Sequence, residues 1–550
     1  MTLADRNNPY SFEEFLNKLH GLNMYMDDPF LQKNLAFFAG PDFNGIHERL
    51  RPFSAKASGQ WRAMADFVAR PENRPYLENF NAHNRRVDRL VRPAETRQLE
   101  REIFSEGLFS EKTLFWENVV KRFLLHQLGE FGVMCPIACT EGLIALIEQF
   151  PDHGRPELDR ILRHCKEGLD GDFGVGAQFM SEIQGGSDIP SNLIEAEPQA
   201  DGTYKLFGAK FFCSAMQADY AVVTAKTTAG DKVGTFIVPS WLPGDKEREV
   251  RNGCRINRIK WKMGTAELPT AEIEYDGAAA YAVGPTDRGV ANAVGIVLTL
   301  SRLTVGVSSA SGMMRAAREA FLYSEFRDVF GQKICQFPLG AHQVRELVRT
   351  AQRTLSGAFK VFNLFLQLGR KLQPGLNSNE PLEIMKKRFD LRELIIIQKL
   401  CTAYQAVDAA RKAMSIFGGH GVIEDFSSLP RLYRDAAVNE LWEGPRNVLL
   451  IQVLRDLHRV MAWYPPEEFT ASALAGVDPA LVADLGRRLR GFLENPPFLG
   501  ATLETMKQAA AWEGFVDEFF LAYQERALAE VGPAPIVRDD LIGFPEIWKL

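Results

Sequence analysis

The chain has 550 residues, too many for one hydrophobic core, so several domains are expected. Its hydrophobic share of 46% and charged share of 24% are those of a globular protein and exclude a largely disordered chain. A net charge of −6 argues against nucleic acid as the default partner. Seven cysteines are scattered at 135, 139, 165, 213, 254, 335 and 401 without a Cys-x-x-Cys pair, so free thiols are expected rather than disulfides, zinc or any other metal centre. Met1-Thr-Leu-Ala-Asp-Arg-Asn-Asn8 lacks the basic start and apolar core of a signal peptide, and no run of 18 apolar residues is evident. The expectation is a soluble cytoplasmic protein with no membrane span.

Residues 1 to about 110 carry apolar residues at helical spacings broken by Asp28-Pro29 and Arg51-Pro52, which reads as short helices wrapped on a larger body. Residues 113–150 are strongly helical, with Trp116, Val119, Val120, Phe123 and Leu124 on one face, completing a helical first domain over 1–174. Strand-like runs such as Tyr220-Ala-Val-Val-Thr-Ala225 then alternate with turns at Asp201-Gly202, 229–234 and Asp276-Gly277, predicting an antiparallel β domain over 175–283. Amphipathic helices over 291–326, 342–368 and 381–417 follow, predicting a helical bundle over 284–462. A last segment, 463–550, holds fourteen Asp or Glu against seven Lys or Arg and a helical stripe of Phe515, Phe519, Phe520 and Tyr523. That stripe is expected either to contact another subunit or to cover the body.

The stretch Arg434-Asp-Ala-Ala-Val-Asn-Glu-Leu-Trp-Glu443-Gly-Pro-Arg446 sets a carboxylate after an indole and before a glycine. A carboxylate on such a turn, screened from water, is suited to removing a proton, although alone the pattern is more often that of a solvated loop. Its company is more specific. In chain order come Phe179-Met-Ser-Glu-Ile-Gln-Gly-Gly-Ser-Asp188, Lys210-Phe-Phe-Cys-Ser214, Arg327-Asp-Val-Phe-Gly331, Phe417-Gly-Gly-His-Gly421 and Leu441-Trp-Glu-Gly444. This ordered set resembles the signatures of the acyl-CoA dehydrogenase flavoproteins over roughly residues 100–460. Gln184-Gly-Gly-Ser-Asp188, Cys135-Pro136-Ile137 and Leu429-Pro-Arg-Leu-Tyr-Arg434 resemble the AidB-like branch of that family.

The resemblance implies an α+β fold: an N-terminal helical domain, a middle β domain, a C-terminal four-helix bundle and here an extra helical C-terminal segment. It implies one FAD per subunit, an acyl-CoA substrate and α,β-desaturation, with Glu443 taking the α-proton while the β-hydride leaves to flavin N5. Relatives that place the base on a bundle helix carry Glu-Arg where this chain has Ser301-Arg302, which leaves Glu443 as the base candidate and Arg302 as its support. Phe179, Met180, Ser181, Gly186 and Ser187 match the flavin-edge strand, with Ser187 also facing substrate. Phe212 and Ser214 match the aromatic-x-hydroxyl pair on the flavin ring. Arg327, Phe330, Gln343, Gly418, Gly419 and Gly421 match the elements that reach the FAD pyrophosphate and adenine across a dimer interface.

Trp442, Gly444 and Arg446 are expected to touch substrate. Arg446 departs from the family, which carries a small residue there, and it either pairs with an acid such as Glu440 or Asp435 or faces an anionic substrate group. Trp442 and the long N-terminal segment suggest a restricted pocket for a branched, cyclic or carboxylated acyl group. The implied partners are an electron-transfer flavoprotein and a second copy of the chain, as homodimer or homotetramer. Alternatives are an AidB-like FAD- and DNA-binding protein with little dehydrogenase activity, which the acidic tail counts against, and an acyl-CoA oxidase.

Overall fold

The computed structural model describes residues 10–228, 230, 232–370, 380–496 and 500–544. The start on which the lack of a leader was read, the turn residues Ala229 and Asp231, and the last six residues of the tail lie outside them. Near the N-terminus, Asp28 caps helix Pro29–Ala39 by accepting from Leu31 N at 2.9 Å, with proline at the first position where its missing N–H costs nothing. The segment expected to hold only short helices also contains a hairpin, Tyr76–Phe80 against Arg86–Val91, whose turn is closed by Asn81 and by Asn84 at φ +57. The helical run over 113–150 divides into Phe115–His126 and Phe131–Gln149 at Gly129, where φ is +64 and Glu130 caps the second helix through Val133 N.

Among the described residues the β domain has seven strands. Five close a ring in the order Tyr220–Thr227, Glu195–Pro198, Tyr204–Ser214, Thr270–Ala282 and Val233–Pro239, which pairs back onto Tyr220–Thr227. Gly176–Phe179 joins the first of these and Cys254–Ile259 joins Thr270–Ala282. Most pairings are antiparallel as expected, but Tyr220–Thr227 runs parallel to both Gly176–Phe179 and Glu195–Pro198. Inside the ring Lys210 Nζ meets Glu182 Oε1 at 2.9 Å and also donates to Met180 O, so a fully desolvated cation is paired and hydrogen-bonded. That bond fixes the strand end from which Ser181 and the following Gly-Gly-Ser turn project.

Helices Thr299–Phe326, Pro338–Gln367 and Leu382–Phe417 form the bundle, and nearly every residue of Thr299–Phe326 is buried. A π-turn, Ala293–Leu298, leads into it. Two helical stretches, Phe131–Gln149 and Gly289–Phe326, are long and apolar enough to cross a membrane, but 72% of each window is buried within the protein, as core helices are.

Helix Leu503–Val531 lies across the bundle. Phe515, Phe519, Phe520 and Tyr523 are all buried against this same chain, so the stripe covers the body. Gln524 Nε2 donates to Thr354 Oγ1 at 3.1 Å. Glu525 pairs with Arg349 and Arg353, Glu530 with Lys360, and Glu513 and Asp517 with Arg446. The acidic surplus of the tail is therefore largely spent on internal ion pairs and is not an open negative face. Phe519→Ala should cost about 3–5 kcal/mol, as emptied aromatic core sites do; urea unfolding checks this, with an unchanged midpoint showing that the stripe is not core.

Candidate active site

All three parts of the chain converge on one cavity of about 1680 Å³. Helix Phe131–Gln149 contributes Cys135 and Cys139, the β domain contributes Gln178, Met180, Ser181, Phe212 and Ser214, and the bundle contributes Arg302 and the 441–445 turn. The volume exceeds that of an ordinary small-molecule pocket, about 300–1,000 Å³.

Glu443 sits at its wall, just past helix Leu429–Leu441, with φ +54. Gly444 follows at φ +105, where a Cβ would come within 2.9 Å of Leu449 Cδ2, so this turn requires glycine. Two buried cations hold the turn by its carbonyls. Arg302 Nε donates to Glu443 O at 2.9 Å, and Lys399 Nζ donates to Glu440 O at 2.8 Å and Gly444 O at 2.7 Å. The carboxylate itself accepts one hydrogen bond, from Gln178 Nε2 to Oε1 at 3.0 Å, and Oε2 is buried without a partner. Burial raises the Glu443 pKa, while Lys399 and Arg302 oppose the shift. Burial likewise lowers Lys399 and brings Arg302 down to about 10. A carboxylate that is dry, basic and open on one oxygen is arranged to accept a proton.

Family models for the acyl-CoA dehydrogenase middle domain and C-terminal domain match residues 177–278 and 287–458. Acyl-CoA dehydrogenase family member 11 of Caenorhabditis elegans is 30% identical over 479 residues, covering 82% of this chain and 74% of that protein. The AidB protein of Escherichia coli K12 is 30% identical over 418 residues, 71% of each chain. The chain belongs to the acyl-CoA dehydrogenase family. Its branch is AidB-like, and as a member it is a flavin-dependent oxidoreductase. The fold also matches that of Caenorhabditis elegans ACDH-11 in complex with C11-CoA, with TM-score 0.76 at 24% identity over 96% of this chain and 94% of that one.

Within this acyl-CoA dehydrogenase, Arg302, Met180, Ser181, Gly186, Ser187, Phe212, Ser214, Trp442, Glu443 and Gly444 all line the cavity. Phe212 is 51% exposed into it with Lys260 Nζ 4.4 Å from its ring, and Ser214 Oγ bonds Thr270 Oγ1. A half-exposed aromatic beside open backbone edges suits a planar ring system, so the residues fit a flavin. Phe179 does not face the cavity; the strand alternation turns it into the core, at 3% exposure. Arg327, Phe330, Gln343, Gly418, Gly419 and Gly421 lie outside the cavity lining. Arg327 rests over the Tyr10 ring, Phe330 and Gln343 are exposed, and Gly421 packs where a Cβ would meet Met414 O at 2.2 Å.

Arg446 is a correction. It does not face the cavity and pairs with neither Glu440 nor Asp435; Nε meets Glu513 at 2.6 Å, Nη2 meets Asp517 at 2.7 Å, and the guanidinium covers Tyr404. It is the first residue of a helix, and that direction carries its side chain to the tail. The seven cysteines are free thiols, five of them buried, and Cys135 and Cys139 stand 4.0 Å apart on the cavity wall.

Gln178, Lys399 and Lys262 are site residues that motif reading missed. Lys399 interrupts the apolar run Ile395-Ile-Ile-Gln-Lys-Leu400, and a lone cation there is a signal of a buried, paired charge. Gln178 carries no such signal. Glu393, six residues earlier on that helix, is fully buried, and neither oxygen accepts a hydrogen bond. Burial pushes its carboxyl up to about 8, against the opposing pull of Arg392. It is thus protonated in the folded chain, and the stability this contributes below the ordinary carboxylate pKa is lost as pH rises through about 8. The melting temperature should fall from pH 5 to 8, and Glu393→Gln should flatten that fall by up to about 1.4 kcal/mol per pH unit; parallel melting curves for both proteins would refute it.

Proposed function

We propose that the protein desaturates an acyl-CoA thioester between its α and β carbons, with Glu443 as the base. The observation that carries this reading is the Glu443 carboxylate, buried in the cavity wall with Oε2 unpartnered. The cofactor is FAD, and bound FAD supplies the acceptor for the β-hydride. Met180, Ser181, Phe212 and Ser214 would hold its ring, while Arg327, Gln343 and the Gly418–Gly421 turn would hold the adenine half of a neighbouring subunit's FAD. Exposed Phe330, Leu339 and Val422 beside those residues support a homodimer or homotetramer built over that face. An electron-transfer flavoprotein is the proposed electron acceptor and the cytoplasm the proposed location.

Glu443 accepts the α-proton at Oε2. Gln178 holds Oε1 and also donates to Ser301 Oγ at 3.3 Å, which fixes the carboxylate plane. Ser301, at the other position relatives use for a base, serves here only as that anchor. Burial raises the Glu443 pKa, and its basicity rises with it. Lys399 and Arg302 oppose that rise.

Glu443→Gln should keep flavin binding and lower anaerobic flavin bleaching by acyl-CoA about 10²–10⁴-fold. Bleaching at the wild-type rate would place the base elsewhere. Lys399→Met should shift the acid limb of the kcat/KM profile to higher pH, because the cation that restrains the Glu443 pKa is gone, while flavin content stays constant. A lower rate with an unmoved limb would reduce Lys399 to a purely structural role.

A further inference from the structure

Two helical faces meet at the inner end of the site. Helix Phe131–Gln149 presents Phe131, Met134, Cys135, Ala138 and Cys139, and helix Thr299–Phe326 presents Ser301, Thr304, Val305 and Ser308. Both sets follow the i, i+3, i+4, i+7 spacing of a single helix face. Between them is a second cavity of about 30 Å³, which shares Cys135, Cys139, Trp442 and Glu443 with the main one. Most of its lining is buried, whereas the main cavity also runs out past Ile183, Asp287 and Arg288, which are exposed. The small cavity is therefore the inward continuation of the site from Glu443.

The surface this space leaves open is almost wholly apolar. Polar atoms on its walls are engaged elsewhere or covered: Ser301 Oγ accepts from Gln178, Thr304 Oγ1 from Arg122 and Asn439 Oδ1 from Trp442 Nε1, while His126 Nδ1 is inaccessible and its ring lies against Phe131. Among the described residues no Lys or Arg lines the space, so a carboxylate at a chain end would be buried beside Glu443 without a counter-charge. An alkyl end meets only apolar surface. Room is then the tighter limit, because about 30 Å³ takes only about one or two carbon-sized groups. With Cα at Glu443 Oε2, a longer chain runs into Met134 and into the Phe131–Trp442 pair, whose ring centroids stand 5.7 Å apart.

From these walls we infer that the enzyme selects short, wholly apolar acyl-CoA thioesters, of about four or five acyl carbons, and that Met134 and Ala138 set that limit. The inference deepens the desaturase reading and rests on it for the placement of the thioester beside Glu443. It also removes the carboxylated and cyclic acyl groups from the candidates that Trp442 suggested.

The test compares propionyl-, butyryl-, octanoyl- and glutaryl-CoA on the FAD-loaded enzyme, by kcat/KM for anaerobic flavin bleaching and by calorimetric Kd. Butyryl-CoA should be favoured over octanoyl-CoA and glutaryl-CoA by about 10- to 100-fold in both. Met134→Ala, which lengthens the space, should raise octanoyl-CoA against butyryl-CoA about tenfold. Ala138→Leu, which fills it, should lower butyryl-CoA against propionyl-CoA by a similar factor, with FAD content and melting temperature recorded as controls for the fold. If Met134→Ala does not fold, Ala138→Leu decides alone. Octanoyl-CoA or glutaryl-CoA as the best substrate and ligand, or ratios unmoved by these substitutions in folded protein, would overturn the inference. If no thioester bleaches the flavin, the desaturase reading fails, and the calorimetric order still supports or overturns the chain limit by itself.

Discussion

Two buried cations grip the active-site turn by its backbone and not by its carboxylate, and the rest of the site depends on that choice. Glu443 sits at φ +54, a conformation that costs a non-glycine residue of order 1–3 kcal/mol unless its surroundings fix it. Arg302 and Lys399 do so through three carbonyl oxygens contributed by Glu440, Glu443 and Gly444. Had either cation bonded the carboxylate directly, a tight ion pair would have lowered its basicity and closed the oxygen that now stands open. The arrangement gives charge at a distance, which opposes the rise in the Glu443 pKa, and leaves Oε2 without a partner.

Holding both cations in place is the task of helices Thr299–Phe326 and Leu382–Phe417, and those helices are tied to everything else. Arg318, on the first of them, meets Asp28 at 2.5 Å, Gln127 Oε1 at 2.9 Å and Ile536 O at 3.2 Å, joining the N-terminal helices and the C-terminal tail to the bundle. Arg315 reaches the carbonyls of Gln127 and Leu128 just before Gly129, where the next helix turns toward the cavity. Burying Arg315 and Arg318 is tolerable because both meet carboxylate and carbonyl acceptors, whereas Arg302 keeps a buried Nη1 without a partner. These bonds set the orientation of Cys135, Cys139 and His126 relative to Glu443.

Much of this was legible in the sequence, and the limits follow a physical pattern. That Glu443, Met180, Ser181, Phe212 and Ser214 share one cavity was legible because local motifs, each a few residues long, encode a turn or strand end whose geometry is set nearby. The three long helices were found because a 3.6-residue period survives wherever one face is buried. What escaped depends on partners distant in sequence. Gln178 matters only because a turn 265 residues later comes to it, and the hairpin Tyr76–Phe80 is held by Asn79 donating to Ile256 O. Phe179 was drawn into the site by its motif neighbours, yet strand alternation sends it the other way.

The departure at Gly444-Pro445-Arg446 is explained by the same long-range logic. A large cation stands where family members carry a small residue, which by itself suggests an altered active site. In the folded chain Pro445 ends the turn, Arg446 begins helix Arg446–Val460, and the guanidinium spans to Glu513 and Asp517 on helix Leu503–Val531. That helix lies beyond residue 458, where the match to the C-terminal family model ends. Arg446 is therefore the near half of a clamp whose far half lies in the extension, and the two sequence anomalies are one structural feature. Its position directly after the catalytic turn means that docking of the tail helix and the placement of Gly444, whose carbonyl anchors Lys399, are mechanically joined through a single residue.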